Sequence, residues 1–258
     1  MLKVSLVVVG VVLLSAFGFA QEALSLSAED IIAIWTFDKG EGEVAYDVSG
    51  NGWDGTIVGA QWVDGKYGKA LEFDGTDNRV DILGSEGLSG FSQMTIALWA
   101  NIKGTGGSNW PRLVGKGKYE SWVFMMYASP ANLNFLTVLE DTTAELRDTT
   151  DLVPLFNAFH HYAVTWDGHE IVFYIDGEET SRGPVAEGKG LVQTEYIVQI
   201  GSGREFTRSF EGIMDDVAVF SVALSGDEIK QLMGGVETFV RPVAVQPSTW
   251  GKIKALLW

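Results

Sequence analysis

From Ile31 to Gly235 the chain is written in short apolar or alternating runs, each closed by Gly, Asp or Asn, with almost no 3.6-residue periodicity. Side chains of a strand alternate between its two faces, so such runs form sheets whose apolar faces must be covered, as in a sandwich or barrel. The runs predict strands at 32–37, 70–73, 79–82, 94–101, 112–116, 122–128, 133–139, 160–166, 171–175, 196–200 and 212–220. The clearest unit is His161-Tyr-Ala-Val-Thr-Trp166, the turn Asp167-Gly168-His169, and the return Glu170-Ile-Val-Phe-Tyr-Ile175. Asp-Gly tolerates left-handed backbone angles, so this reads as a hairpin. Tyr162, Val164 and Trp166 then share one face of the first strand, and Ile171, Phe173 and Ile175 one face of the second. Asp-Gly recurs at Asp54, Asp64, Asp74 and Asp176, at irregular spacing and without an EF-hand pattern, so turn chemistry accounts for most of these pairs. One short helix is expected at 226–233, capped by Ser225 with Glu228 closing the box and Gly234 ending it.

Nine Trp, 7 Tyr and 14 Phe among 258 residues supply a sizeable core and exclude a disordered chain. Most of the Trp, among them Trp35, Trp99 and Trp166, are expected inside. With 18 Lys+Arg against 34 Asp+Glu the formal charge is −16, which argues against nucleic acid and anionic lipid as partners. The absence of Cys removes disulfides, zinc-thiolate sites and a thiol nucleophile, while the acids remain compatible with calcium.

The ends differ from the body. Lys3 precedes a 17-residue apolar run at 4–20, and Gly18-Phe19-Ala20 has the small-x-small form of a cleavage site. Residues 1–20 therefore read as an export signal, leaving no stable membrane span once removed. The domain spans 31–235, and 236–258 reads as a linker followed by a short amphipathic tail with Trp250, Ile253 and Leu257 on one side. Export without Cys suits a secreted, periplasmic or surface protein of a bacterium.

An ordered series runs through this body: Trp35-Thr-Phe37-Asp38, Asp47-Val-Ser-Gly-Asn51, Gly65-Lys-Tyr-Gly-Lys-Ala-Leu-Glu-Phe-Asp-Gly75, Met94-Thr-Ile-Ala-Leu-Trp99, His161-Tyr-Ala-Val-Thr-Trp-Asp-Gly168, Phe173-Tyr-Ile-Asp-Gly177 and Phe210-Glu-Gly-Ile-Met-Asp-Asp-Val217. The series resembles the laminin-G-like, concanavalin A-like jelly-roll domains of secreted bacterial proteins. The resemblance implies an all-β sandwich of two antiparallel sheets that binds glycans or proteins, in some members around calcium. Related folds include glycoside hydrolases, whose catalytic families carry Glu-x-Asp-x-x-Glu on one strand. That motif is absent here: Glu140-Asp-Thr-Thr-Ala-Glu145 and Asp176-Gly-Glu-Glu179 have the wrong order.

For calcium the candidate ligands are Asp38, Asn51, Asp215 and Asp216. In a jelly roll the first and last strands lie side by side, which would join these segments and make the ion a fastener of both ends. Strand alternation sends Asp215 and Asp216 to opposite faces. The alternative is that the acids cap turns and bond within the sandwich. His160 and His161, adjacent in a strand, cannot easily chelate one ion together, and no nucleophile elbow accompanies them. A ligand site belongs on end loops or on an open sheet face. Trp110, between Asn109 and Pro111, reads as an exposed aromatic suited to sugar stacking, with Tyr119, Trp122 and Tyr127 nearby in sequence. The residues thus point to an exported, non-enzymatic recognition or adhesion module, most directly for glycans and with calcium support. A cell-surface structural or protein-interaction module is the alternative, and a glycoside hydrolase or lyase the third reading.

Overall fold

The structure, a computed structural model, describes residues 26–117, 121–185, 190–203 and 208–236. The expected export signal, the C-terminal tail and Tyr119 lie outside the described residues. In chain order the strands are β1 (Ile31–Trp35), β2 (Val44–Ala45), β3 (Gly55–Val58), β4 (Gln61–Asp64), β5 (Lys69–Asp74), β6 (Arg79–Ile82), β7 (Met94–Gly104), β8 (Arg112–Lys116), β9 (Trp122–Ala128), β10 (Ala131–Val138), β11 (Thr143–Arg147), β12 (Phe159–Trp166), β13 (Glu170–Ile175), β14 (Glu178–Pro184), β15 (Val198–Ile200) and β16 (Glu211–Phe220), followed by the helix α1 (Gly226–Leu232).

They form two antiparallel eight-stranded sheets. The first runs β14-β13-β12-β7-β16-β5-β4, with β1 also paired to β16; the second runs β11-β10-β9-β8-β15-β6-β3-β2. The predicted hairpin is present as β12 and β13, paired from Tyr162–Ile175 to Trp166–Ile171. Tyr162, Val164, Trp166, Ile171, Phe173 and Ile175 all enter the core between the sheets, as the alternation requires. The second sheet contributes Trp122, Phe124, Met126, Leu133 and Phe135 to the same core.

The outer face of the first sheet is covered as well. Ile229 and Leu232 of α1 pack over Ala97, Ala163 and Ala218, whose small side chains let the helix approach. Ser225 accepts from the Glu228 backbone N–H at 3.4 Å while the Glu228 carboxylate accepts from the Ser225 N–H at 2.8 Å, so the expected capping box fixes the helix start. First and last strands are adjacent: Ile31 pairs with Phe220 and Trp35 with Val217.

Candidate functional site

That adjacency brings Asp38, Asp215 and Asp216 to one end of the first sheet, around the turn that precedes β5. Asp38 accepts the Lys69 N–H at 3.1 Å and Asp215 the Tyr67 N–H at 2.9 Å. Asp215 and Asp216 do not point to opposite faces. Asp215 pairs with Trp99 and Ala218 with Ala97, so two residues of β16 oppose one of β7, and Asp216 takes a left-handed φ of 49°. This bulge cancels the alternation, and both carboxylates lie on the outer side, Asp216 accepting the Val236 N–H at 3.4 Å.

Asn51 is elsewhere. Its side-chain amide donates to the Ile31 and Ile32 carbonyls, each at 2.9 Å, at the beginning of β1. Asp38 lies past the other end of that strand, so about 13 Å of extended backbone separates the two places. The Asp47-Val-Ser-Gly-Asn51 segment is a turn clamp: Asp47 accepts from Ile34 N–H at 3.0 Å, Ser49 N–H at 2.9 Å, Ser49 Oγ at 2.8 Å and Trp53 N–H at 3.0 Å. Asn51 thus does not join the three aspartates. Among the described residues no three His, Cys, Asp or Glu side chains form a metal-holding group. A cation here would need backbone carbonyls or water beside the aspartates.

The bulge also exposes an unexpected row. Asp215, Trp99 and His161 are consecutive cross-strand neighbours on the outer face of β16, β7 and β12. All three are buried, and Asp215 Oδ1, Trp99 Nε1 and His161 Nδ1 have no hydrogen-bond partner. Tyr67 meets the Trp99 ring edge to face at 6.1 Å, and Lys66 Nζ lies 4.4 Å from that ring's centre. Trp99 is inside as expected, but under this lid rather than between the sheets. Burial, with Asp216 and Asp38 nearby, pushes the Asp215 carboxyl up to about 7, and burial brings the His161 imidazole down to about 4.

The other candidate residues lie on β8 and β9 of the second sheet. Trp122 is not a surface platform: it is fully buried, faces the core with Phe124 and Met126, and donates its Nε1–H to the Leu88 carbonyl at 2.8 Å. Tyr127 has the opposite parity and faces outward. Trp110 continues the line of β8 alongside it, since Met126 N–H and Ala128 N–H donate to the Pro111 and Asn109 carbonyls. The two half-buried rings meet edge to face with centroids 6.3 Å apart.

Two arginines absent from the sequence expectation complete this place. The Arg147 guanidinium lies 3.2 Å from the centre of the Tyr127 ring, and that of Arg208 lies 5.1 Å from the centre of Trp110. The result is a continuous row, Arg208–Trp110–Tyr127–Arg147, in which cations cover the ring faces. Asn132 pairs with Tyr127 and Asn134 with Arg147, so both lie next to the row. Their Oδ1 atoms are buried without partners, although the Asn134 amide donates to Glu145 at 3.0 Å. The Asn132-Leu-Asn134-Phe135 alternation carried this signal, with both Asn on the face away from the core. A separate cleft of about 360 Å³ lies on the first sheet, lined by Thr165, Glu170, Tyr174, Arg182 and Ser225. There Arg182 is paired with Glu170 and Glu179.

Residues 74–230, more than half of the chain, match the concanavalin A-like lectin/glucanase superfamily. The chain belongs to that superfamily. No curated protein matches its sequence. Among solved structures, the binding domain of Paraclostridial Mosquitocidal Protein 1 superposes with a TM-score of 0.64 at 16% identity, over 80% of this chain and 52% of that one. Domain 4 of AbnA, a GH43 extracellular arabinanase from Geobacillus stearothermophilus, in complex with arabinotriose, gives 0.60 at 19%, over 79% and 98%. A botulinum neurotoxin type C structure, whose cell entry depends on interaction with two ganglioside molecules, gives 0.59 at 18%, over 81% and 52%. The chain spans about half the length of the toxin chains it matches. At these identities the likeness establishes the jelly-roll sandwich. No helix of the described residues is long and apolar enough to cross a membrane.

Proposed function

We propose that this chain is a non-catalytic glycan-recognition module of an exported bacterial protein. Its ligand would lie against the row Arg208–Trp110–Tyr127–Arg147. The observation that carries this reading is the row itself: partly exposed rings and guanidinium groups in contact, beside the unsatisfied amide oxygens of Asn132 and Asn134. Sugars are held by such combinations of aromatic side chains and fixed polar groups. The sandwich is shared with an arabinanase domain solved with arabinotriose and with a toxin that interacts with gangliosides, which supports a binding rather than a hydrolytic role. The carboxyl raised to about 7, the property a general acid needs, belongs to Asp215, which is shut beneath Tyr67 with no exposure.

Calcium is a second element of the proposal. Asp215, whose Oδ1 is unpartnered, and the nearby Asp38 and Asp216 carry the oxygen atoms it prefers, but the three do not by themselves form a metal-holding group, so backbone carbonyls or water would have to complete the shell. The ion would supply positive charge that offsets the mutual repulsion of the aspartates, fastening β1 to β16.

The test is binding of the purified chain to a broad glycan array, with Trp110→Ala and Tyr127→Ala alongside and calcium exchanged for a chelator. Selective binding weakened at least tenfold in both variants is expected. Absence of binding by a chain shown to be folded, or binding that both variants retain, would overturn the assignment.

A further inference from the structure

We infer that the ligand of this row carries a carboxylate, so that the module selects an acidic glycan over its neutral counterpart. The inference rests on the glycan-binding reading above and names the class of sugar. Its starting point is a local reversal of charge. The chain has a formal charge of −16, yet two of its seven Arg, at 147 and 208, lie over the rings of Tyr127 and Trp110. Arg112 N–H donates to the Arg208 carbonyl at 3.0 Å, which fixes the two segments side by side.

The state of Arg147 decides the chemistry. Arg79 pairs with Asp81, and Arg182 with Glu170 and Glu179. Arg147 has its guanidinium over the Tyr127 ring and forms no ion pair among the described residues. It is exposed, so its planar fork remains open to an incoming group at its edge. Glu145, two residues earlier and on the same outward face of β11, accepts the Asn134 amide at 3.0 Å. The carboxylate that follows Arg147 in sequence, Asp148, is fully buried and takes hydrogen bonds from Thr149 and Thr150 N–H, Thr150 and Thr180 Oγ1 and Ser181 Oγ. Both acids are thereby engaged, and Asp148 holds the end of β11 from which Arg147 projects.

A neutral sugar recognised by stacking needs a bare ring face. Here the rings of Tyr127 and Trp110 each have a guanidinium over them. What the row offers instead is the exposed guanidinium of Arg147 at the end of two rings. A guanidinium binds a carboxylate through two parallel N–H···O bonds, a geometry that hydroxyl groups of a neutral sugar do not reproduce. The overall negative charge does not forbid this, because beyond about 8 Å at physiological ionic strength the remaining acids are screened while contact with the arginines is not.

The test uses the full purified chain and a panel of uronate- and sialate-bearing oligosaccharides, each paired with its carboxyl-reduced, neutral derivative. Affinity is measured by calorimetry for wild type, Arg147→Gln and Tyr127→Ala. The expected result is binding of at least one acidic member, weakened at least tenfold by reduction of its carboxyl and at least tenfold by Arg147→Gln, and falling as salt is raised. Equal affinity for an acidic sugar and its reduced partner, or unchanged affinity in Arg147→Gln, would overturn the inference while leaving glycan recognition standing. Failure of every member, acidic and neutral, with circular dichroism reporting a folded chain, would overturn both.

Discussion

Asp215 and His161 flank Trp99 in one cross-strand row, and burial moves them in opposite directions, to about 7 and about 4. Their effects on stability therefore oppose each other. Between its ordinary value of 3.8 and about 7, Asp215 keeps a proton in the folded chain that the unfolded chain has released, so stability falls as pH rises through that window. At about 1.4 kcal/mol per pH unit the loss is about 4 kcal/mol. His161 behaves conversely. Between about 4 and its ordinary 6.5 the unfolded chain holds a proton that the folded chain excludes, so stability rises with pH, by about 3 kcal/mol. Over the shared stretch the two slopes cancel, and the decline due to Asp215 emerges above it. Urea unfolding at half-unit steps from pH 4 to 8, in chelator, separates them. The stability of Asp215→Asn minus that of wild type should climb by about 4 kcal/mol from the acid to the alkaline end. That of His161→Gln minus wild type should climb by about 3 kcal/mol as pH falls from 7 to 4. Any constant penalty of either substitution drops out, because the observable is the change of the difference with pH. Differences that stay flat, or slopes of the other sign, would refute the claim that burial outweighs the partners of both groups.

At pH 8 calcium should raise the melting temperature of wild type, by an amount equivalent to about 2.7 kcal/mol at a hundredfold excess over Kd, and should leave Asp215→Asn unmoved. The same rise in the variant would remove Asp215 from the ligand set. Asp148→Ala, which strands two N–H groups and three hydroxyls between the end of β11 and the middle of β14, should cost about 3 kcal/mol by urea unfolding; a loss under about 1 kcal/mol would show that water replaces the carboxylate. Gly201 has a φ of +82° and an added Cβ would sit 2.3 Å from Phe73, so Gly201→Ala should cost about 2–4 kcal/mol from strain and overpacking together. A change within about 0.5 kcal/mol in the same assay would contradict that packing.

The central strands were legible because their apolar periodicity is enforced by burial. β6, β8 and β9 coincide residue for residue with the runs at 79–82, 112–116 and 122–128. The strands that the runs did not reveal, β2, β3, β4, β11 and β14, sit at or beside the margins of the two sheets. An edge strand is paired on one side and less covered, so Glu178-Glu-Thr-Ser-Arg-Gly-Pro184 can be polar at nearly every position and still complete the sheet. The β16 bulge was hidden for another reason. Period-two reasoning assumes an unbroken ladder, and one extra residue placed Asp215 and Asp216 on the same side.

The site divides in the same way. Parity alone separates Trp122 from Tyr127: five residues apart in one strand, they cannot share a face, and Trp122 goes inward with Phe124 and Met126. Asn132 and Asn134 went unremarked, although their alternation with Leu133 and Phe135 was there to be read. Arg147 and Arg208 carry no such signal, since their place depends on pairing. Arg147 reaches Tyr127 because β10 lies between β9 and β11 and its hairpins set Tyr127 against Asn132 and Asn134 against Arg147. Arg208 reaches Trp110 because a segment nearly a hundred residues later returns to hydrogen-bond Arg112. Composition pointed away from such a site, because a net charge averages over the surface. A ligand samples only the few ångströms around its own charge, and there the register of three strands and one returning loop has collected two cations, Arg147 and Arg208, that stand 61 residues apart in the sequence.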